Sequence, residues 1–441
     1  LDGFTIKNLE LIYAHNGTSL FDILNHCSTH MGSRLLQRWI VLPLIDKEQI
    51  DWRLDIVESF LQNADLAQQM SDSLNSIGDL ERLVSKIAMM RVQPNELYAL
   101  INILKEISSI KNNFSSSQSP CLQKLSQDLI ICNDLVELLT KYISPSAPNN
   151  ISKGGAIAFG VDEELDYYRR ISTDAKELIN NILKREIEAT GISSLKISYN
   201  NVFGYYLEVT NTHKDKVPES WIRKQTLTNA ERYITEELKD LETKILNAAD
   251  FITRKESTIY SNLLAQLKKW IEPLQKNANI LSQVDCLVSF AIVAKHNKYT
   301  KPQITQDYIL NITEGRHPVI EKTLPIGTQY ISNDVYLDKD NSQIAIITGP
   351  NMSGKSAYLR QTALIVLMAQ IGCYVPALNA QIGIVDKIFT RVGASDNLSA
   401  GESTFMVEMN ETACILNNLS SRSLVLLDEI GRGTSTYDGV S

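Results

Sequence analysis

Eight residues constrain the fold of this chain more than any other segment: Gly349-Pro350-Asn351-Met352-Ser353-Gly354-Lys355-Ser356. They fit G-x-x-x-x-G-K-[ST]. Ahead of them residues 344–347 (IAII) form a short apolar run of the buried-strand type, and behind them residues 357–372 read as a helix. Strand, tight glycine turn and helix in that order belong to an α/β layer. Residues 424–427 (LVLL) give a second buried-strand candidate, so the chain is expected to be α/β after Pro302.

Glycines let such a loop curl so that successive N–H groups and the helix N-terminus face phosphate oxygens. Gly349 to Ser356 are therefore the nucleotide-binding candidates, with Lys355 reaching the β- and γ-phosphates and Ser356 a Mg²⁺ ligand. The second strand candidate ends in Asp428-Glu429. Asp428 suits Mg²⁺ held through water and Glu429 suits polarising an attacking water, because phosphoryl transfer needs positioning and charge neutralisation more than covalent chemistry. Taken alone, either motif has a plain reading as a glycine turn or a solvated acidic turn; together they point to an NTPase. The nearest approach to a guanine-reading N-K-x-D is Asn297-Lys298-Tyr299-Thr300, which lacks the Asp and precedes the loop, so ATP is favoured.

The other two thirds of the chain are of a different kind. Gly and Pro total only 32 of 441 residues, against 44% hydrophobic and 21% charged, which disfavours disorder and turn-rich all-β folds. Residues 20–139 carry apolar positions at helical spacing, such as Leu97, Leu100, Ile101, Leu104 and Ile107, with Pro43 and Pro94 as helix starts or breaks and polar loops at 111–120 and 144–155. A helix of 25 to 30 residues runs from Val161 to a stop at Gly191. A second begins near Asn229, where Ile234, Leu238, Leu241, Ile245, Ala248 and Ile252 step at heptad spacing, and runs on toward Trp270. Between them Leu195, Ile197 and Tyr199, then Tyr205, Leu207 and Val209, alternate with polar residues about a possible Asn200-Asn201 turn, giving a β-hairpin at the tip of a helical arm. From periodicity alone the arm is equally a dimerisation coiled coil, and the charge pattern of its mildly basic tip, taken alone, is more often that of a solvated face than of a nucleic-acid site.

Net charge is −8, so any nucleic-acid contact is local. The six cysteines are scattered, without a C-x-x-C pair, and read as reduced, mostly buried thiols of a cytoplasmic protein. No apolar run approaches 18 residues and no export signal opens the chain, so no membrane partner is expected. Leu1 is not Met and Ser441 falls just past the acidic motif, so the chain is read as a fragment.

TGPNMSGKS, RVGASDNLSAGESTFMVEMNETACIL and LVLLDEIGRGTSTYDG closely resemble the ATPase domain of the bacterial MutS mismatch-repair family. The resemblance continues through Met31-Gly32-Ser33-Arg34-Leu35-Leu36 and Gly78-Asp79-Leu80-Glu81-Arg82 of a helical core, and through VFGYY (202–206) and QTLTNAERY (225–233) of a clamp. It implies a homodimer with ABC-type composite sites, where Ser403 of one subunit completes in trans the site at Lys355 and Ser356 of the other. It also implies that Asn351 contacts the γ-phosphate or water, that Tyr330 stacks on adenine, and that Gly431 to Thr436 face the partner. Gly315-Arg316-His317-Pro318-Val319 resembles a motif at the ATPase entrance, and His317 is read as a packing histidine. The tip becomes a clamp holding duplex backbone, with Arg223, Lys224 and Asn229 as contact candidates.

Two departures stand out. Ala357 follows the P-loop Ser where the family usually has Thr, and no Phe-x-Glu, the family's mismatch-wedge motif, occurs in the chain. The expected architecture is multidomain. An all-α core with lever helices carries a small β-containing clamp insert, followed by an α/β P-loop ATPase domain of ABC type that is incomplete at its C-terminus. The boundaries are 1–190 (core and first lever helix), 191–245 (clamp), 246–301 (return lever helix and core) and 302–441 (ATPase). The expected function is ATP- and Mg²⁺-dependent recognition of mismatched double-stranded DNA, in the bacterial cytoplasm at the nucleoid, with a MutL-type downstream factor. The alternatives are a MutS-like paralogue acting on recombination intermediates, an SMC-type structural DNA ATPase with much longer arms, and a scaffold with a vestigial nucleotide site.

Overall fold

The computed structural model describes residues 1–14, 17–200, 204–325, 327–350, 353–391 and 404–430. The first part is helical: α1 (Gly3–Asn8), α2 (Leu20–Leu24), α3 (His30–Val41), α4 (Lys47–Gln62), α5 (Ala64–Ile77), α6 (Leu80–Ala88), α7 (Pro94–Ser115), α8 (Pro120–Asp128), α9 (Asn133–Tyr142) and the long α10 (Glu163–Thr190). Strands β1 (Lys196–Asn200), β2 (Gly204–Thr210), β3 (Ile222–Thr226) and β4 (Ala230–Ile234) follow, then α11 (Glu236–Leu267) and α12 (Ile271–Asn297). The remainder alternates: β5 (Gln303–Thr305), β6 (Ile309–Gly315), α13 (Ile320–Thr323), β7 (Asn333–Asp338), α14 (Lys355–Gln370), β8 (Asn379–Gly383), β9 (Lys387–Arg391), α15 (Thr404–Asn418) and β10 (Ser423–Leu427). The chain is thus helix-rich with small sheets, in two compact units.

One unit comprises Leu83–Leu104 and Cys132–Ile271. Its axis is the pair α10 and α11, of 28 and 32 residues, or about 42 and 48 Å at 1.5 Å per residue. Asp162 caps α10 by accepting from Leu165 N, and Gly191 ends it in the left-handed conformation. The pair is clasped by charge: Arg169 of α10 bonds Glu256 of α11 at 2.7 Å, and the fully buried Glu256 also accepts from Gly155 and Ala156 N at 2.9 and 3.0 Å.

The tip is a four-stranded antiparallel sheet, order β1-β2-β4-β3, rather than a single hairpin. Residues 230–234, read from sequence as the start of the return helix, are its strand β4. Paired on both sides, β4 is almost wholly buried, and that burial selects Ala230, Tyr233 and Ile234. The return helix starts instead at Glu236, where Thr235 accepts from Leu238 N and two glutamates fill the first turn. Ile182, Leu195, Leu207, Val209, Trp221 and Leu238 seat the sheet on the ends of the helices.

The other unit comprises Leu1–Arg82, Lys105–Ile131 and Glu272–Ser441. Trp39 packs on Phe290 and Phe60 on Phe114, with ring centroids 6.2 and 6.5 Å apart. Phe114 explains why α7 continues to Ser115, into the segment expected to be loop: the ring is fully buried and draws the helix onward. Among the described residues, 247–297 form the one helical stretch long and apolar enough by length and mean hydropathy to span a bilayer, and 83% of its apolar window is buried within the protein. Three cysteines are buried and three half-buried, none of the six in a disulfide, so burial is less general than expected.

This unit has a sheet of order β5-β8-β6-β7 and a parallel pair β9-β10. The predicted strand 424–427 is β10. The predicted strand 344–347 is not a strand: Ile344 and Ile346 are 84% and 88% exposed. A buried parallel strand needs neighbours to pair its backbone, and no described strand lies beside this one.

Candidate functional site

Lys355 opens α14, and the residue before it, Gly354, is the helix N-cap with φ +93°, a conformation that a side chain would strain. The lysine Nζ lies back over the loop, donating to the carbonyls of Gly349 at 2.8 Å and Pro350 at 3.1 Å. From the next residue the Ser356 hydroxyl donates to the carboxylate of Asp428, 72 residues away. The two Mg²⁺ ligands expected from sequence are thus in direct contact.

Asp428 reaches that position because β10 runs parallel to β9, with Leu427 opposite Arg391, and Asp428 N extends the ladder to Arg391 O at 2.7 Å. Glu429 follows with φ +50°, an uncommon conformation for a non-glycine residue and one that turns the chain sharply after the acidic pair. A hydroxyl and a carboxylate side by side, with an ammonium nearby, offer hard oxygen donors of the kind that could hold Mg²⁺. Asn351, Met352, Ser403 and residues 431–436 lie outside the described residues.

Tyr330 is half-buried, and its hydroxyl donates to Oε1 of Gln361 at 2.9 Å. Burial pushes its phenol pKa up. It lines a cleft of about 460 Å³ with Arg316, Glu321, Gln329, Ser332 and Lys298. Arg316 is held in that wall by Glu321 at 2.7 Å and by the carbonyl of Asn297 at 3.2 Å. Gln361 carries no motif. Its signal in the sequence is a polar residue in a helix buried all round, since every residue from Gln361 to Gln370 is buried.

His317 has the structural role expected of it. It is 5% exposed, and its Nδ1 accepts from the N–H groups of Val319 and Ile320 at 3.3 and 3.2 Å, closing the first turn of α13. Burial, and secondarily the Arg360 guanidinium, pull its pKa down to about 4.

On the tip sheet, Arg223 and Lys224 lie on β3, an edge strand exposed along its whole length, and Asn229 sits in the turn to β4. Lys224 is the extra residue of a β-bulge between Arg223 and Gln225, a device that re-aims a side chain. Arg223 is held at 3.4 Å by Glu231. The turn is braced by Asn211, which donates to Thr228 O from its side chain at 3.0 Å and to Asn229 O from its backbone at 3.2 Å. That contact joins the 3₁₀ segment Asn211–Lys216, with Lys214 and Lys216, to the contact candidates. Asn211 itself was not legible in the sequence. Asn201, Val202 and Phe203 lie outside the described residues.

Comparison with known proteins matches residues 4–291 to MutS domain III and residues 345–441 to MutS domain V. Proteins named DNA mismatch repair protein MutS are 54% identical in Phocaeicola vulgatus, 56% in Flavobacterium psychrophilum and 56% in Cytophaga hutchinsonii. Each alignment covers 100% of this chain and 51–52% of the relative, so the chain spans about half the length of those proteins.

Proposed function

The chain belongs to the MutS family, and from that premise we propose that it is the lever, clamp and nucleotide-binding part of an ATP-dependent DNA mismatch sensor. The observation that carries the proposal is the Ser356–Asp428 contact: two oxygen donors far apart in sequence meet at the start of a helix whose loop carries Lys355. In this assignment residues 1–190 are the core and first lever helix, 191–245 the clamp, 246–301 the return helix and core, and 302–441 an ABC-type ATPase domain.

Ser356 and Asp428 would hold Mg²⁺. Lys355 leaves the carbonyls of Gly349 and Pro350 for the β- and γ-phosphates, and the N–H groups of the loop from Gly349 to Gly354 and of the α14 N-terminus face the phosphate oxygens. A Mg²⁺ ion held there would supply neutralisation of the charge that develops on the transferred phosphoryl group. Glu429 orients the attacking water. Tyr330 stacks on adenine, Asn351 contacts the γ-phosphate, and Ser403 completes the partner's site in a homodimer.

Arg223, Lys224 and Asn229 hold duplex backbone without reading its sequence. The whole protein then acts on mismatched DNA in the bacterial cytoplasm, at the nucleoid, and hands over to a MutL-type factor. Helices of 28 and 32 residues are far shorter than the arms an SMC-type ATPase requires.

The test is binding of the full-length protein to homoduplex and single-mismatch DNA, with and without ATP and Mg²⁺. Preference for the mismatch, converted by ATP to sliding, is the expected result. Equal binding to both duplexes would replace this function with that of a recombination-type paralogue.

A further inference from the structure

The far end of α14 is built with as much care as the end that carries Lys355 and Ser356. Arg53 of α4 donates through a terminal guanidinium nitrogen to the carbonyl of Ile371, immediately after the helix, at 3.0 Å. Its guanidinium carbon lies 3.4 Å from the centroid of the Trp39 ring. Gly372 has φ +83°, and a Cβ there would come within 2.4 Å of Cβ of Arg53, so the turn is shaped to admit the arginine stem. Gln370 completes the hold: its amide nitrogen donates to Leu44 O at 2.7 Å and Val385 O at 2.8 Å, its amide oxygen accepts from Val385 N at 3.0 Å, and its backbone carbonyl accepts from Leu44 N at 3.1 Å.

Arg53 is 9% exposed, and among the described residues no carboxylate pairs with it. Burial pulls its pKa down to about 10. An apolar side chain would fill the same space without desolvating a charge. What only a cation supplies is attraction to the negative end of a helix dipole and to the face of an indole ring, and Arg53 has both. Its hydrogen bond directs it at the C-terminus of α14, and the Trp39 ring of α3 holds it there. Arg53 and Leu44 belong to the residues matched to MutS domain III, and α14 to those matched to domain V.

We propose that Arg53, acting with Gln370, is a positioning residue for the nucleotide site: it fixes the end of α14 to α4, so that the place of α4 sets where Lys355 and Ser356 stand. The inference rests on the reading of Lys355 and Ser356 as ligands of Mg²⁺-nucleotide. A 16-residue helix, buried on all sides over its last ten residues, is a rod of about 24 Å and transmits a shift at one end to the other.

The experiment compares the full-length protein with Arg53→Met and Arg53→Lys. Backbone amide exchange is followed along α14 without nucleotide, ADP affinity is titrated with and without Mg²⁺, and kcat and KM are measured for ATP. Arg53→Met is expected to speed exchange in both the last and the first turns of α14. It should reduce the Mg²⁺ enhancement of ADP affinity, and lower kcat about 10- to 100-fold with KM changed less than about twofold, as misplacement near 1 Å does. Arg53→Lys keeps a cationic donor and recovers part of each.

Faster exchange confined to the last turn, with Mg²⁺ enhancement and kcat unchanged, would reduce Arg53 to local packing and overturn the proposal. Wild-type protein that shows no Mg²⁺-dependent nucleotide binding would refute the assignment of the site itself, and this inference with it. If Arg53→Met does not fold, Arg53→Lys and Gln370→Leu carry the same comparison.

Discussion

His317 offers a test of the site's architecture that does not depend on turnover. Its Nδ1 accepts two backbone N–H groups, which only the neutral imidazole does, and the ring is nearly sealed from solvent. Its pKa falls from 6.5 to about 4 on folding, so the unfolded chain binds the proton more tightly than the folded one. The stability held by the neutral ring is therefore fully present above pH 6.5 and is lost as pH falls toward 4. Linkage puts the loss between pH 7.5 and pH 5 at about 2 kcal/mol, and the full loss below pH 4 at about 3 kcal/mol. His317→Asn keeps an oxygen acceptor for Val319 and Ile320 but has no proton to gain. In paired urea unfolding at pH 7.5 and pH 5, wild type should lose about 2 kcal/mol more than the variant, because every other titrating group is common to both. Parallel pH profiles, or an imidazole NMR titration of His317 near its ordinary value, would refute the reasoning.

Arg169→Met should destabilise the unit formed by Leu83–Leu104 and Cys132–Ile271 by about 3–5 kcal/mol, since it strands the buried Glu256; adding Glu256→Gln should restore part of that in urea unfolding. Glu429→Gln should leave ATP binding intact and suppress steady-state hydrolysis in the full-length protein, and unchanged turnover would remove Glu429 from the water-orienting role. Replacing both Arg223 and Lys224 by Ala should weaken binding to any duplex alike and lower the magnitude of the log–log salt slope by about 1.8. A loss confined to mismatched duplex would instead assign these residues to mismatch reading.

The sequence carried the chemistry better than the architecture, for a physical reason visible in particular residues. Gly349 to Ser356 and Asp428 stand out in the sequence because the proposed nucleotide-binding chemistry asks for fixed residue types at fixed spacing, and the structure places the Ser356 hydroxyl on the Asp428 carboxylate. Residues 230–234 misled because Ile234 continues the heptad of the helix that follows; pairing on both edges, a tertiary fact, makes them strand. Residues 344–347 have the composition of a buried strand, but composition does not supply neighbours, and their isoleucines face solvent. Asn211, Gln361 and Arg53 carry no motif because each acts through backbone carbonyls or side chains that are not its neighbours in sequence. Such contacts leave no period and no spacing. They share a single local mark, a polar side chain spent inside the fold or bound to a turn, and α14 shows how far that mark reaches: the two glutamines in its buried stretch are the residues that anchor Tyr330 and the end of the helix. Polar residues within an otherwise apolar buried helix therefore mark where α14 is joined to its surroundings.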